Sequence, residues 1–330
     1  MMLAVINLLT GDFLINTKSE ESLDKILLPG KPIDRQLVAA EFEPIKPHWV
    51  SQSGCDSEGL WVEFEQLGNT CRVYLPQWDG ELGYDKVGLY SDIIIKDITQ
   101  RCRWIPPGIF SMGSPSSEKK RHDSETQHQV TLTQGFWLAD SACTQALWKA
   151  VMGDNPAFFT TNENNPVEQV SWDDVQNFIK KLNILIPGLG IQLPTEAQWE
   201  YACRAGTVTP FSFGETITLE QVNYDGNMTY ADGKKGGCRE KTVEVKSLPA
   251  NSWGLYEMHG NVWEWCADWY DDFSVIPVID PPGSDTGSSR VLRGGSWSNY
   301  GWRTRSANRG WYAPVNRDNY IGFRFVVGQA

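Results

Sequence analysis

The chain has 330 residues and a net charge of −12, from 29 Lys and Arg against 41 Asp and Glu. This length suits one large domain or one domain with a smaller companion, and the acidic balance argues against a nucleic-acid coat protein or a membrane-surface binder. Apolar residues make up 41% of the chain, and no apolar run approaches the roughly 18 residues of a membrane-spanning helix, so we expect a packed core and no membrane partner.

The start of the chain and its cysteines both favour a cytoplasmic protein. Residues 1–9 are apolar but carry no Lys or Arg ahead of the apolar stretch and no small-residue cleavage site. This pattern predicts a first strand and not a signal peptide. The seven cysteines are an odd number without a CxxC pair, which predicts reduced thiols.

Residues 1–100 are predicted to form a small β-rich N-terminal module. Residues 62–65 alternate apolar and acidic side chains, as in a half-buried strand. A turn at 67–70 and a return strand at 71–75 follow, and residues 77–80 form another turn. No residue type here indicates chemistry, so we expect a structural role or the docking of a further partner.

Three helices are predicted after residue 101. The first spans 144–152 and ends at Gly153. The second is capped by Ser171 and places apolar residues on one face: Trp172, Val175, Phe178, Ile179 and Leu182. The third begins with a capping box at 195–198, runs to Arg204 and ends at Gly206. Residues 207–250 and 270–290 lack a period, so we expect long loops held by metal or by tryptophan packing.

Several segments in order resemble the formylglycine-generating enzyme, or sulfatase-modifying factor, family. They are residues 104–114 (WIPPGIFSMGS), 165–172 (NPVEQVSW), 193–202 (LPTEAQWEYA) and 254–265 (GLYEMHGNVWEW), then RGGSW at 293–297 and GFR at 322–324. The resemblance covers residues 101–330. It implies an α+β, C-type-lectin-like domain with low regular secondary structure, held by buried tryptophans and in many members by calcium.

The residues that carry the family's oxidase chemistry are missing. Members that oxidise a sulfatase cysteine use two redox cysteines placed shortly after the Gly-Gly-Ser-aromatic motif. The matching positions here are at or near Asn299 and Thr304, and the last cysteine is Cys266. We therefore expect neither formylglycine generation nor a redox cofactor.

A second enzymatic branch of the family uses non-haem iron and histidines from an N-terminal helical domain. The four histidines of this chain (His48, His122, His128 and His259) show no HxxxHxH spacing. An enzyme with altered, for example iron-dependent, chemistry stays open as an alternative.

The segment after Trp297 is similar to the variable region of proteins diversified by a retroelement, here at about 290–325. In such regions adenines, mostly those of AAY codons, are mutated, which yields Tyr, Ser, Gly, Asp, Thr, Ala, Val or Asn. A fixed frame is expected at 305–309, 314, 316–317 and 321–324. Trp302 and Trp311 do not fit an AAY codon. The candidate ligand-binding positions are Ser298, Asn299, Tyr300, Gly301, Trp302, Thr304, Gly310, Trp311, Tyr312, Ala313, Val315, Asp318, Asn319 and Tyr320.

These residue types suit a binding surface, because Tyr and Trp give large rigid contacts and Ser, Gly and Asn give adaptable hydrogen bonds. The hypothesis is a non-catalytic protein that binds a macromolecule, foremost a protein. Nucleic acid is disfavoured as a ligand because Lys is absent from the arginine-rich segment after Trp297. The frame arginines are also expected to be structural: Arg303, Arg305, Arg309, Arg317 and Arg324. The alternatives are ordinary loop residues that close a tryptophan-rich core, or a structural adaptor docked by the N-terminal module.

The resemblance also implies a structural calcium site at Glu257, Gly260, Val262 and Glu264, with two carboxylates and two carbonyls as ligands. The alternative is that Glu264 pairs with a frame arginine and Glu257 is solvated. A second family site would begin at Asn223, but residues 234–239 supply no acid.

Three further polar residues are interpreted without a catalytic role. His259 is predicted to be packed and hydrogen-bonded. Glu196 and Glu200 are predicted to lie on a solvated face of the third helix.

Overall fold

The computed structural model describes residues 14–16, 43–45, 49–56, 59–66, 68–74 and 81–328. The chain divides into two units, Met1–Ile94 and Ile95–Ala330. The strand predicted at residues 1–9 and the turn predicted at 77–80 lie outside the described residues. No helix in the described part of the chain is long and apolar enough to cross a membrane.

The described residues of the N-terminal unit form mainly antiparallel strands. They are β1 (Leu14–Asn16), β2 (Glu43–Ile45), β3 (Val50–Asp56), β4 (Gly59–Gln66), β5 (Asn69–Tyr74), β6 (Leu82–Asp85) and β7 (Gly88–Ile95). β4 pairs with both β3 and β5. Val62 and Phe64 are fully buried, whereas Glu63 and Glu65 are not, so the alternation predicted for this strand is confirmed. The ring of Trp49 stacks on Tyr84 and meets Phe64 edge-on, which closes a small core.

The strands of the C-terminal unit are short. They are β8 (Ile98–Ile105), β9 (Gly108–Met112), β10 (His128–Leu132), β11 (Phe136–Ala139), β12 (Ile191–Gln192), β13 (Trp263–Trp269), β14 (Val278–Ile279), β15 (Arg290–Arg293), β16 (Arg309–Tyr312), β17 (Ile321–Gly322) and β18 (Val326–Val327). β11 pairs antiparallel with β8 and β18, and β18 with β12. β10 pairs antiparallel with β9 and parallel with β14.

The three predicted helices are confirmed, because local capping defines both ends. They are α1 (Gln145–Met152), α2 (Trp172–Leu185) and α3 (Glu196–Arg204). The hydroxyl of Thr144 caps α1, and Ser171 and Thr195 each form a capping box at the start of α2 and α3. α1 ends at Gly153, with φ of 94°, and α3 runs to Arg204 as predicted; the left-handed residue that caps α3 is Ala205 and not the predicted Gly206.

The long loop between α3 and β13 carries no helix or strand, as predicted for 207–250. A hydrophobic cluster gives it a core of its own: Phe211, Ile217, Val222, Tyr224 and Tyr230. Elsewhere in the unit, Trp199 and Trp265 are fully buried and donate their indole N–H groups to Glu264 and to the Val170 carbonyl, respectively. Mixed, sheet-rich structure with few helices is therefore confirmed for this unit.

Candidate functional site

A four-stranded sheet supports the C-terminal segment. β15 pairs antiparallel with β13 and β16, and β17 pairs parallel with β13. Between β15 and β16 the chain forms a loop with one 3-10 turn at Gly301–Arg303. Between β16 and β17 it forms a second loop. The fourteen candidate positions lie on these two loops and on β16.

Burial separates the candidate positions from the main blocks of the frame. Residues 305–309 and 321–324 are all buried. Twelve of the fourteen candidates are exposed or half-buried, and the large side chains of Tyr300, Trp311 and Val315 are 36%, 55% and 68% exposed. The frame positions Pro314, Asn316 and Arg317 are not buried.

Gly301 and Thr304 are buried, so their assignment to a ligand-contacting surface is wrong. A Cβ on Gly301 would lie 3.3 Å from the Cβ of Tyr230 and 3.5 Å from the ring of Tyr224. The Thr304 hydroxyl donates to the Gly301 carbonyl at 3.0 Å. Both residues close the 3-10 turn onto the loop core.

Trp311 also lies apart from the other aromatic candidates. Successive strand residues point to opposite faces, so Trp311 shares a face of β16 with Arg309 and not with Tyr312. The rings of Trp311 and Tyr270 have centroids 4.8 Å apart, and the Arg309 guanidinium lies 4.5 Å from the same Tyr270 ring. The alternation along β16 therefore separates Trp311 from the surface of Tyr312.

The remaining candidates form two groups. Tyr300 and Trp302 pack ring against ring, with centroids 4.8 Å apart. Burial raises the pKa of the Tyr320 phenol, and the neighbouring Asp318 and Tyr312 side chains add to the rise.

The fixed residue Trp297 connects these two groups. Its indole N–H donates to the Asn319 carbonyl at 3.2 Å, and Ser298 follows it directly in the chain. Asn299 is partly committed to structure, because its side-chain oxygen accepts from the Ser296 backbone N–H and hydroxyl.

Buried ion pairs anchor the frame arginines. Arg305 binds Glu118 and Glu125, Arg309 binds Glu196, and Arg324 binds both oxygens of Glu264 at 2.7 and 2.8 Å. The structural role predicted for these three is confirmed. Arg317 forms an exposed pair with Asp174, and Arg303 is half-buried with no ion pair among the described residues.

The solvated face predicted for Glu196 and Glu200 is wrong, because the two residues are only 3% and 0% exposed. Glu200 binds Arg204 and Arg293, and Glu196 binds Arg309. Both partners from the C-terminal segment, Arg293 and Arg309, are remote in sequence. The pair of carboxylates is thus a buried anchor for the sheet below the candidate surface.

His259 is packed and hydrogen-bonded, as predicted. Its Nδ1 contacts the Thr304 carbonyl at 2.7 Å, its Nε2 contacts the backbone N–H and the hydroxyl of Ser212, and burial lowers its pKa to about 4. The neighbouring thiol of Cys203 is fully buried, which raises its pKa to about 12. Neither group has the ionisation state of a nucleophile or general acid at neutral pH. The cysteines with described side chains are free: Cys71, Cys102, Cys143, Cys203, Cys238 and Cys266.

The residues expected to bind calcium do not fit that ion in this arrangement. The Glu264 carboxylate accepts from the Arg324 guanidinium and the Trp199 indole, so its lone pairs face N–H donors. Glu257 is 7% exposed and accepts the backbone N–H groups of Lys246 and Leu248, and burial raises its pKa to about 7. The pairing of Glu264 with a frame arginine is therefore correct, and a solvated Glu257 is not.

Other positions give no metal cluster either. Asn223, at the second family site, donates to the Lys241 carbonyl and the Asn261 side chain. In the described ranges, no group of three or more His, Cys, Asp or Glu is arranged to hold a metal.

Sequence reasoning missed the loop at 114–126, which borders the candidate surface. Its Glu118 and Glu125 hold Arg305, and the Lys120 ammonium lies 5.6 Å from the centroid of the Trp302 ring. The signal was the charged run at 118–121 just after the 104–114 motif.

Curated relatives include formylglycine-generating enzymes. That of Streptomyces coelicolor is 36% identical over 175 residues, which are 50% of this chain and 53% of the relative. That of Mus musculus is 32% identical over 210 residues, which are 60% of this chain and 52% of the relative. The chain thus spans about half the length of these two enzymes.

Two solved structures extend the comparison. Treponema denticola variable protein 1 has a TM-score of 0.63 and 27% identity, over 72% of this chain and 98% of that protein. PvdO from Pseudomonas aeruginosa has a TM-score of 0.58 and 26% identity, over 75% and 98%. The sulfatase-modifying factor enzyme 1-like domain matches residues 96–329, and the chain belongs to this family.

Proposed function

We propose that this chain is a non-catalytic ligand-binding protein that displays a retroelement-diversified surface on a C-type-lectin-like scaffold. The observation that carries the proposal is the burial contrast: positions with the composition of mutated Asn codons are largely accessible, and the main frame blocks are buried. The similarity to Treponema denticola variable protein 1 supports it.

The surface that follows from the geometry is smaller than the fourteen positions. We retain the two groups around Tyr300 and Trp302 and around Tyr312 and Tyr320, with exposed Ser298 and Val315 at their edges. Tyrosine and tryptophan lose little side-chain entropy when they bind, and the frame beneath them is rigid. A protein ligand suits such a surface best, because aromatic side chains dominate the energy of protein interfaces.

The oxidase activity of the enzymatic relatives does not fit this chain. Asn299 and Thr304 stand at or near the positions of the two redox cysteines, and Thr304 is fully buried. Neither side chain can form a disulfide or a thiolate. An enzyme with altered, for example iron-dependent, chemistry is the alternative, and stoichiometric iron in the purified protein would favour it.

The test begins with the gene. We expect an imperfect copy of the codons for residues 290–325 beside a reverse transcriptase gene, with differences confined to adenines of the copy. The differences should fall at accessible positions such as Tyr300 and Tyr320 and should spare residues 305–309. A locus without such a copy would overturn the diversification.

A display library tests binding directly. Randomised codons at Ser298, Tyr300, Tyr312, Val315 and Tyr320 should yield binders to a panel of unrelated proteins. The matched library randomises exposed positions on α2 (Asn177, Lys180, Lys181 and Ile184) and should yield none. Equal yields from both libraries would refute a dedicated surface.

The cytoplasmic location and the docking role of residues 1–100 belong to the same proposal. Deletion of the N-terminal unit, residues 1–94, should change the location of the protein in the cell and leave ligand binding intact. Loss of ligand binding in this deletion variant would contradict the proposal that the N-terminal unit only docks the protein and the C-terminal unit binds the ligand.

A further inference from the structure

We propose that a fixed basic rim beside the variable positions selects partners that present an acidic polypeptide segment; this inference rests on the binding function proposed above. The basic rim consists of Lys119, Lys120, Lys234, Lys235 and Arg303. The four lysines are exposed and Arg303 is half-exposed. None of them belongs to the positions that fit a mutated Asn codon, so every variant of the surface would share this rim.

The loop at 114–126 holds the first two lysines next to the variable aromatic side chains. Arg305 is fully buried and binds both Glu118 and Glu125. The same guanidinium donates to the Lys120 carbonyl at 3.0 Å and to the Trp302 carbonyl at 2.9 Å. One buried side chain thus fixes both the basic loop and the 3-10 turn that carries Trp302.

A second loop brings the other lysines to the same edge. The Asp225 N–H donates to the Asn299 carbonyl, and Gly226 pairs with Gly236 and Gly237, which follow Lys234 and Lys235 directly.

A bond at Tyr230 joins this second loop to the first. The Tyr230 hydroxyl donates to the Lys119 carbonyl at 3.0 Å. The two basic loops and the variable turn are therefore neighbours fixed by backbone contacts, and the lysines are not isolated surface charges.

The charge on these segments opposes that of the whole chain. Residues 116–123, 225–239 and 298–304 carry seven cations and four acids. One of the acids, Glu118, is neutralised by buried Arg305. Within these three segments the accessible charge is therefore positive, whereas the whole chain carries −12. Such a local reversal of charge attracts acidic partners.

An acidic polypeptide fits this rim better than nucleic acid does. Asp123, Asp225 and Asp232 are interleaved with the cations, and Asp232 lies 3.8 Å from Lys119. Regularly spaced phosphates would meet these carboxylates, whereas a polypeptide with scattered Asp and Glu can avoid them. Trp302 and Tyr300 then supply the apolar contact next to the charges.

The experiment measures binding of a fluorescent polyglutamate peptide and of oligothymidylate to the full chain by anisotropy over a range of salt concentrations. We expect polyglutamate to bind more tightly and its affinity to fall with salt. Lys119→Glu/Lys120→Glu should lower that affinity by about tenfold. Lys119→Arg/Lys120→Arg should retain it.

The matched control is Lys180→Glu/Lys181→Glu, which makes the same charge change at two exposed lysines of α2. It should leave the affinity unchanged. An equal loss in both charge-reversed proteins would overturn the rim, because only net charge would then matter. Tighter binding of oligothymidylate would overturn the acidic-polypeptide partner.

The outcomes separate this inference from the function on which it rests. If binders from the library keep their affinity after Lys119→Glu/Lys120→Glu, the basic rim does not select partners, but ligand binding by the variable positions is still supported. If the locus has no adenine-mutated copy but polyglutamate binding still depends on Lys119 and Lys120, the diversification is refuted. The role of the basic rim in binding acidic polypeptides is then still supported.

Discussion

Replacement of Arg305 by Met is the sharpest test of how the frame supports the candidate surface. Met keeps the length of the side chain but removes the charge that two buried carboxylates share. Glu118 and Glu125 are nearly or completely inaccessible, and Arg305 is their common partner. The change also removes the hydrogen bonds to the carbonyls of Lys120 and Trp302.

The magnitude follows from the burial of the pair. Removal of one partner of a buried ion pair costs about 3–5 kcal/mol, because the remaining charge is desolvated and uncompensated. A domain of this size loses about 2–4 °C of melting temperature per kcal/mol. We therefore expect Arg305→Met to melt about 6–20 °C below the parent protein.

The loss should depend on pH with a definite sign. Burial alone raises the pKa of Glu125, but the hydrogen bonds and charge of Arg305 outweigh it and the pKa is lowered. The parent therefore gains stability from Glu125 above the pKa of the unfolded chain, and loses it as the pH falls through the folded pKa. Burial already raises the pKa of Glu118 in the parent, although Arg305 opposes the shift. Without Arg305, the pKa of Glu118 should rise further and burial should raise that of Glu125, so protonation would relieve the uncompensated charge.

Calorimetry at about pH 5 and about pH 8 checks both statements, with a larger deficit expected at the higher pH. The control is Arg317→Met, whose pair with Asp174 is largely exposed and should be worth about 0–1 kcal/mol. A deficit below about 1 kcal/mol for Arg305→Met, or one that is equal at both pH values, would refute the reasoning.

Three other expectations can be checked on purified protein. Gly301→Val should destabilise the fold by about 1–3 kcal/mol in urea titrations, since its Cβ would press on the loop core, whereas Tyr300→Ser should change stability by about 0.5 kcal/mol or less. A loss of about 0.5 kcal/mol or less for Gly301→Val as well would show that residue 301 is a surface position. Removal of calcium with a chelator should leave the melting temperature unchanged, because Glu264 is committed to N–H donors; a clear fall would restore the calcium site. The His259 ring should stay neutral between about pH 5 and 8 in NMR spectra, since burial lowers its folded pKa to about 4; a shift change near pH 6.5 would contradict its burial. Because the unfolded chain takes up this proton at the ordinary pKa of about 6.5, the stability of the protein should fall as the pH drops from about 6.5 to about 4.

The helices were predictable from the sequence because their signals are local. Ser171 and Thr195 each lie three residues before the side chain that completes a capping box, so a few consecutive residues are enough to predict where the helix begins. The solvated face predicted for Glu196 and Glu200 failed for the opposite reason. Their spacing is also typical of an exposed helix, and their partners Arg293 and Arg309 lie about a hundred residues away.

The candidate surface shows the same limit. Composition after Trp297 separated accessible positions from frame positions in most cases. It could not show that Gly301 and Thr304 close a turn against Tyr230, because that contact involves a loop without a period. It also could not assign Trp311 to the opposite face of β16, since a strand of four residues gives too short a pattern.

The buried arginine pairs have a consequence for how this chain can evolve. Four buried arginines bind carboxylates beneath the surface: Arg293, Arg305, Arg309 and Arg324. The residues that would contact a ligand therefore differ from those that stabilise the fold. A substitution at a ligand-contacting position need not lower the stability of the domain. Such a division makes the scaffold tolerant of sequence change at its accessible positions, and the same property would let new recognition residues be introduced at those positions between β15 and β17 while residues 305–309 are kept.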